Sequence, residues 1–324
     1  MPLRAIIDRT GGPEVIRFVQ TEPGQPGPGE VRIRHTAVGL NMIDTYHRTG
    51  VYRLALPSGL GMEAAGVVVA LGPSVQGLAV GDRVAYAALP LGAYCEERLF
   101  KAEHLVRLPA GVADEAAAAV ILKGMTAYYL LHLTYAVKPG HSMLVYAAAG
   151  GVGSLLVPWA RHLGATVIGA VGSPAKAALA RELGCHHVID YSRQDIAAEV
   201  RRITAGAGVD VVYDSVGKDS FAASLNSLKR RGLLVSYGNS SGKVPPFEPA
   251  LLSDHGSLFF TRPTLGHYTA TRQELEQAAG AVFAAIAQGI VTVKIGQRYS
   301  LQEAARAHAD LEARRTTGAT VLLP

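Results

Sequence analysis

Residues 145–153 read Val145-Tyr146-Ala147-Ala148-Ala149-Gly150-Gly151-Val152-Gly153, and the way this stretch folds decides the architecture. Met143–Ala147 is a short apolar run suited to a buried strand, and Gly151–Leu163 has a helical pattern with Pro158 inside it. A strand that turns through glycines into a helix brings backbone N–H groups and the positive end of the helix dipole to one point. Glycine lets that backbone come close to a pyrophosphate. Ala148 stands where a G-x-G-x-x-G loop has its first glycine, so the motif alone is weak and its setting carries the reading.

That setting is an alternation. Thr166–Val171 reads as a strand, Pro174–Leu183 as a helix, His187–Asp190 as a strand and Asp195–Thr204 as a helix. Val209–Asp214 is the next strand, Asp219–Leu228 a helix, Leu233–Tyr237 a strand and Leu258–Thr261 a last strand. Repeated βαβ units with right-handed crossovers predict a doubly wound parallel sheet with helices on both faces, a Rossmann fold.

Upstream the pattern differs. Met1–Asp8, Val31–Thr36, Gly66–Leu71 and the turn and strand over Gly81–Tyr86 are short segments separated by Gly and Pro, as in a barrel-like β domain. Asp114–Leu133 reads as helical. Arg272–Gln288 is an amphipathic helix with Leu275, Ala279, Val282, Phe283 and Ile286 on one face. Ala319–Leu323 is strand-like and is expected to return to the β domain. The fold class is therefore α/β: a Rossmann domain over residues 123–265 and a discontinuous β-barrel domain over 1–122 and 266–324.

The 324 residues are 49% apolar and 18% charged, which fits large cores and excludes a disordered chain. No uncharged apolar run of membrane-spanning length and no signal-type segment is apparent. Two cysteines, Cys95 and Cys185, rule out a disulfide framework, and these features together suggest a cytoplasmic protein. The net charge of +5 is compatible with an ordinary surface or with a field favouring an anionic ligand. No run of Lys or Arg argues for nucleic acid.

The second strand decides between cofactors. An NAD site places a carboxylate at its end, on the ribose 2′-hydroxyl. Here the position reads Val171-Gly172-Ser173-Pro174-Ala175-Lys176, without a carboxylate. Ser173 and Lys176 are placed to meet a 2′-phosphate, although Lys176 could equally be a solvated helix residue; the expected cofactor is NADPH. No metal site is expected. The eleven histidines are scattered, adjacent His186 and His187 would face opposite ways on a strand, and Cys95 lacks a CxxC partner. Two clusters are candidates for a reaction site or for plain packing. Gly39–Tyr46 sets Asn41 and Asp44 one helical turn apart, with Tyr46 and Tyr52 beyond, and Lys123–Tyr129 is expected to open the linking helix.

Several motifs together resemble the medium-chain dehydrogenase/reductase superfamily: Gly61-Met62-Glu63-Ala64-Ala65-Gly66, Gly81-Asp82-Arg83-Val84, Lys138-Pro139-Gly140 and Ala148–Gly153. Val212–Gly217, Arg230-Arg231-Gly232, Gly238–Gly242 and Thr261-Arg262-Pro263 are similar to its zeta-crystallin-like branch, the zinc-free NADPH:quinone oxidoreductases. The resemblance covers essentially the whole chain. Zinc members carry Cys where this chain has Asn41 and His where it has Met62, and they have a four-cysteine lobe that is missing here.

The resemblance implies a GroES-like fold for the β domain and NADPH-dependent reduction of a small quinone by hydride or electron transfer without a metal. It also implies a homodimer or tetramer. Ser173, Lys176, Tyr191 and Arg314 would surround the 2′-phosphate, and Gly150, Gly151, Val152 and Gly153 would meet the pyrophosphate. Asn41, Thr126, Gly238, Asn239, Ser240, Ser241, Phe260 and Arg262 would line the rest of the cofactor cleft. Tyr46 and Tyr52 would face the substrate, with Asp44 nearby. Where relatives usually carry Gln, this chain has Pro158, which removes a helix donor beyond the loop. Two other readings remain at this point: an NADPH-dependent alkenal or enone reductase, and a non-catalytic NADPH- or RNA-binding crystallin-like protein.

Overall fold

The computed structural model describes residues 1–324 as two compact units. One comprises Met1–Met125, Thr269–Ala287 and Val293–Pro324; the other comprises Thr126–Tyr268 and Gln288–Thr292.

The chain begins with β1 (Leu3–Ile7), β2 (Arg17–Gln20), β3 (Glu30–Leu40), α1 (Met42–Thr49), β4 (Ser58–Gly59) and β5 (Glu63–Leu71). It continues with β6 (Arg83–Ala87), β7 (Glu97–Lys101), β8 (Val106–Arg107) and α2 (Asp114–Tyr129). β3 is longer than its alternating half predicts. After Thr36 the alternation gives way to Ala37, Val38, Gly39 and Leu40, which are all buried on both faces. Such a run carries no period-two signal.

Lys123–Tyr129 does not open a helix; it is the second half of α2, which starts at Asp114 and runs on through a π-helical turn over Leu130–Thr134. No breaker separates the two halves. Gly124 sits inside the helix because a Cβ there would come within 2.7 Å of Val282 Cγ1. No uncharged apolar run reaches membrane-spanning length, as expected from the sequence, because Asp114, Glu115 and Lys123 interrupt α2 and its continuation. Asp114–Thr134 is long and apolar enough to cross a membrane, and 78% of its apolar window is buried within the protein, as in a core helix.

The second unit holds β9 (Ser142–Tyr146), α3 (Gly153–His162), β10 (Thr166–Val171), α4 (Pro174–Glu182), β11 (His187–Asp190), α5 (Ile196–Ile203) and β12 (Val209–Asp214). α6 (Phe221–Ser227), β13 (Leu228–Ser236), α7 (Ala250–Asp254), β14 (Phe259–Thr261) and α8 (Leu265–Tyr268) follow. The strands form one parallel sheet in the order β11-β10-β9-β12-β13-β14. This is the doubly wound Rossmann order, with its reversal beside β9. β13 starts five residues before the expected Leu233, because Lys229, Arg230 and Arg231 look like a loop in sequence. Arg231 has φ 61°, and the pairing register shifts between Val209 and Val211.

The chain ends with α9 (Arg272–Ala287), β15 (Ile295–Ser300), α10 (Ala304–Glu312) and β16 (Ala319–Leu323). β16 returns to the first unit as expected, pairing antiparallel with β3 and parallel with β15. The larger sheet there runs β15-β16-β3-β5-β6-β8, with β7 also on β3, and a small sheet runs β2-β1-β4. Ile33, Val38, Leu40, Val68, Tyr86, Tyr94 and Leu322 fill its core. Leu144, Ile168, Ile189, Val212 and Leu234 fill that of the second unit. Each large apolar side chain so enclosed stabilises its unit by roughly 1.5–3 kcal/mol before entropy is counted.

Candidate functional site

The second unit contributes a phosphate-type loop. Because β9 lies between β10 and β12, its carboxyl end marks the point where strand order reverses. Ala147 leaves β9 with φ 50°, an uncommon conformation for alanine, and its carbonyl accepts from Gly150 N at 2.7 Å. Ser154 N donates to Gly150 O, and Leu156 N to Val152 O, as the helix begins. Val152, at the N-cap of α3, offers no side-chain acceptor, so no side chain caps this helix start. Gly153 is required sterically: a Cβ would lie 2.3 Å from Ala147 O and 2.7 Å from Ala148 O. The backbone therefore presents the partly positive end of a helix that no side chain caps, and it fits a pyrophosphate.

At the adjacent strand end, Ser173 caps α4 by accepting from Lys176 N at 3.3 Å. Tyr191 follows β11, which pairs with β10 so that Val171 faces Asp190. Its hydroxyl lies 2.7 Å from where a Cβ on Gly172 would be. Ser173, Lys176 and Tyr191 are thus gathered on two neighbouring strand ends. Arg314 lies in the other unit, with φ 59° just after α10.

Asp214 organises the remaining loops of this unit. Fully enclosed at the end of β12, it accepts from Val216 N, Gly217 N, Ser220 Oγ and Ser224 Oγ at 2.7–3.1 Å. Ser240 N and Ser241 N then bond back to Ser215 O and Val216 O. The Ser241 hydroxyl donates to Val216 O and accepts from Asp219 N, both at 3.0 Å, so it holds the loop together. Gly238 closes against Ser215, where a Cβ would be 2.5 Å from the carbonyl oxygen. Asn239 is buried beside it. Phe260 packs its ring against Phe221 and Phe247, at 6.2 and 5.3 Å between centroids. The structure thus gives Phe260 a packing role that the sequence did not suggest. Arg262 is exposed and donates to Pro263 O at 3.2 Å, while Thr126 is buried near the end of α2.

The first unit gathers a second set of polar groups. Asn41 stands at the N-cap of α1 and Asp44 one turn into it, and Asp44 Oδ2 accepts from Asn41 N at 2.9 Å. Tyr46 and Tyr52 meet edge to face at 5.5 Å. Asn41, Asp44, Tyr46 and Tyr52, neighbours in sequence, are thus together on one short helix and its exit.

Lys123 stood in the second candidate cluster, but its pairing with Glu63, which forms the centre of this set, was not foreseen. Glu63 is fully enclosed, and its Oε1 accepts from Lys123 Nζ at 2.6 Å and Asn41 Nδ2 at 2.7 Å. Its Oε2 takes Leu122 N at 2.7 Å. Gly39 makes room, since a Cβ there would be 2.2 Å from Glu63 Oε1. A single carboxylate in an apolar strand and a single ammonium in an apolar helix are the signal that could have paired them, for neither is buried cheaply alone. Burial raises the Asp44 carboxyl to about 7, with the charge of nearby Glu63 adding to that effect and hydrogen bonds from Asn41 and Tyr94 opposing it. No three His, Cys, Asp or Glu side chains come together as a metal-binding group.

Comparison with known proteins accords with both halves. The zinc-binding dehydrogenase family matches residues 151–284, and the alcohol dehydrogenase GroES-like domain matches residues 27–139. A quinone oxidoreductase of Pseudomonas aeruginosa is 52% identical over 97% of each chain. A 2-haloacrylate reductase of a Burkholderia species is 48% identical over 100% of this chain and 99% of its own. The crystal structure of Escherichia coli quinone oxidoreductase complexed with NADPH superimposes with a TM-score of 0.98 at 46% identity, over 99% of this chain and 100% of that one.

Proposed function

This chain belongs to the quinone oxidoreductases of the medium-chain dehydrogenase/reductase superfamily, and from that membership we propose that it reduces quinones at the expense of NADPH. The observation that carries the cofactor is the uncapped start of α3 at the strand-order reversal, beside a β10 end that has Ser173 and Lys176 and no carboxylate. Bound there, NADPH supplies the reducing hydride.

The chain's own residues bind and orient. Gly150, Gly151, Val152 and Gly153 offer backbone to the pyrophosphate. Ser173, Lys176, Tyr191 and Arg314 are assigned to the 2′-phosphate. Asn41, Thr126, Gly238, Asn239, Ser240, Ser241, Phe260 and Arg262 are assigned to the rest of the cofactor. Tyr46 and Tyr52 offer aromatic faces to a flat acceptor, and Asn41 and Asp44 lie at the base of the same helix. Reduction of an electron-poor acceptor depends chiefly on such positioning. The 2-haloacrylate reductase among the relatives supports a second reading, reduction of an activated carbon–carbon double bond at the same site.

The family's usual assembly supports a homodimer or tetramer, and two free, buried cysteines suit a reducing compartment such as the cytoplasm. The domain division that serves this function is a nucleotide-binding domain over 123–265 flanked by a substrate domain from 1–122 and 266–324.

A rate screen tests the acceptor. NADPH oxidation is expected to be faster with benzoquinones than with 2-haloacrylates or enals, and the reverse order would move the assignment to the double-bond reductases. Lys176→Ala is expected to weaken NADPH by about 10- to 100-fold, the worth of a charge-assisted contact of roughly 1.5–3 kcal/mol, and to leave NADH nearly unchanged. Equal weakening of both cofactors in a binding titration would remove Lys176 from the 2′-phosphate.

A further inference from the structure

Behind Asp44 the first unit contains a row of buried polar groups that the proposed reaction does not use. Tyr94 OH lies 3.0 Å from Asp44 Oδ2 and 3.0 Å from His308 Nε2. His308 Nδ1 lies 3.2 Å from Arg48 Nη1, and Arg48 Nη2 donates to Glu312 Oε1 at 2.5 Å. Arg48 Nε donates to Gly11 O at 3.1 Å. Asp44, Tyr94 and His308 are fully enclosed and Arg48 is 1% exposed, so water cannot stand in for any missing partner. These residues come from α1, from the segment before β7 and from α10, and up to 264 positions separate them.

The order of donors in this row is fixed by chemistry. A guanidinium has only donors and does not lose its proton in proteins. Arg48 therefore donates, and His308 Nδ1 must be an unprotonated acceptor. Burial and the Arg48 charge agree, holding His308 down at about 3. The ring hydrogen of neutral His308 is then on Nε2, where it donates to the Tyr94 oxygen. Tyr94 must send its own hydrogen the other way, to Asp44 Oδ2. That oxygen already accepts from Asn41 N, so both of its acceptor sites are taken. Oδ1 of Asp44 is buried and has no hydrogen-bond partner.

We propose that Arg48, His308 and Tyr94 form a one-way hydrogen-bond chain that confines the Asp44 proton to Oδ1 and makes Asp44 the group whose ionisation sets the charge of the candidate site. Tyr94, His308 and Arg48 are positioning residues in this scheme. The other charged groups facing Asp44 are Glu63 from β5 and Lys123 from α2, and these two neutralise each other across 2.6 Å. Glu312 neutralises Arg48 at the outer end of the row. Ionised Asp44 thus has no cation of its own, and its bare Oδ1 explains why burial favours the neutral acid. The link to turnover rests on the proposed reduction: negative charge arriving on an acceptor beside α1 is tolerated when Asp44 is neutral and opposed when it is ionised. Activity should therefore fall as pH rises through the Asp44 midpoint.

The test is spectroscopic, on the full chain without cofactor, so its failure is separate from any failure of the quinone reading. Nitrogen-15 NMR of labelled histidine is expected to show His308 as the neutral Nε2–H tautomer from pH 6 to pH 8; the Nδ1–H tautomer or an imidazolium would overturn the chain's direction. Infrared difference spectra, with Asp44→Asn to identify the band, are expected to show a protonated carboxyl that disappears near pH 7. A band already absent at pH 5 would overturn the proposal. Tyr94→Phe removes a donor that favours the ionised form, so the midpoint should rise by about one pH unit. An unchanged or lower midpoint in a folded Tyr94→Phe protein counts against it. Should that variant fail to fold, the wild-type tautomer and titration still decide.

Discussion

Gly153→Ala is expected to bind NADPH about 10- to 100-fold more weakly than the unaltered protein. The added Cβ would meet Ala147 O at 2.3 Å, Ala148 O at 2.7 Å and the Ala148 carbonyl carbon at 2.8 Å. All three atoms are backbone, so the collision cannot be relieved by turning a side chain. Either α3 moves away from β9 or the 147–150 turn opens. Overpacking of this kind costs about 1–3 kcal/mol, which a ligand bound through that turn feels directly. Gly150→Ala is the internal comparison: its Cβ would lie 3.0 Å from Ala147 O, and its loss of affinity should be smaller. Fluorescence titration with NADPH measures both. Undiminished affinity in a folded Gly153→Ala protein would falsify the loop's role.

Lys123→Met is expected to lower stability by about 3–5 kcal/mol, the usual consequence of leaving one half of a buried ion pair without the other. Glu63 is wholly enclosed and Lys123 almost so, with a side chain 6% exposed, so solvent does not screen the loss. The remaining donors to Glu63, Asn41 Nδ2 and Leu122 N, are uncharged and do not replace the ammonium. A double change, Glu63→Gln with Lys123→Met, should recover part of the loss, because it removes the orphaned charge. Denaturant midpoints of the two single variants and the double variant give the coupling. Additive losses would mean that the pair is not a unit. The same pair fixes the Asn41 side chain, so Lys123→Met should also disturb turnover beyond its effect on folding.

The parallel sheet was legible because each of its strands is a short apolar run bounded by Gly, Pro or a capping residue. The strand whose start lay furthest from expectation, Leu228–Ser236, carries three basic residues after Leu228 that mimic a loop and that the sheet accommodates through a register shift. Tertiary pairing there overrode local composition. The phosphate-type loop and the Ser173–Lys176 cap were readable because both are contiguous in sequence. Asn41, Asp44, Tyr46 and Tyr52 were readable for the same reason.

Glu63 with Lys123, and Tyr94 with His308 and Arg48, were not readable as units. Their members are 60 and up to 260 residues apart, and only the folded sheet brings them together. Ser241 and Phe260 show the opposite limit. Both stand in motifs that imply cofactor contact, and within the fold the Ser241 hydroxyl also ties Val216 to Asp219 and the Phe260 ring also packs on other phenylalanines. A motif preserves a loop's shape as readily as it preserves a ligand.

The strand over Ala319–Leu323 lies inside its sheet, paired on one side with Val38–Leu40 and on the other with Ile295–Ser300. During synthesis on the ribosome, residues 38–40 emerge some 280 residues before the partner that covers their edge, whereas residues 30–34 wait only for β7. For that interval the nascent chain carries a short unsatisfied stretch of strand edge at Val38–Leu40, a natural landing place for chaperones or for another half-made copy.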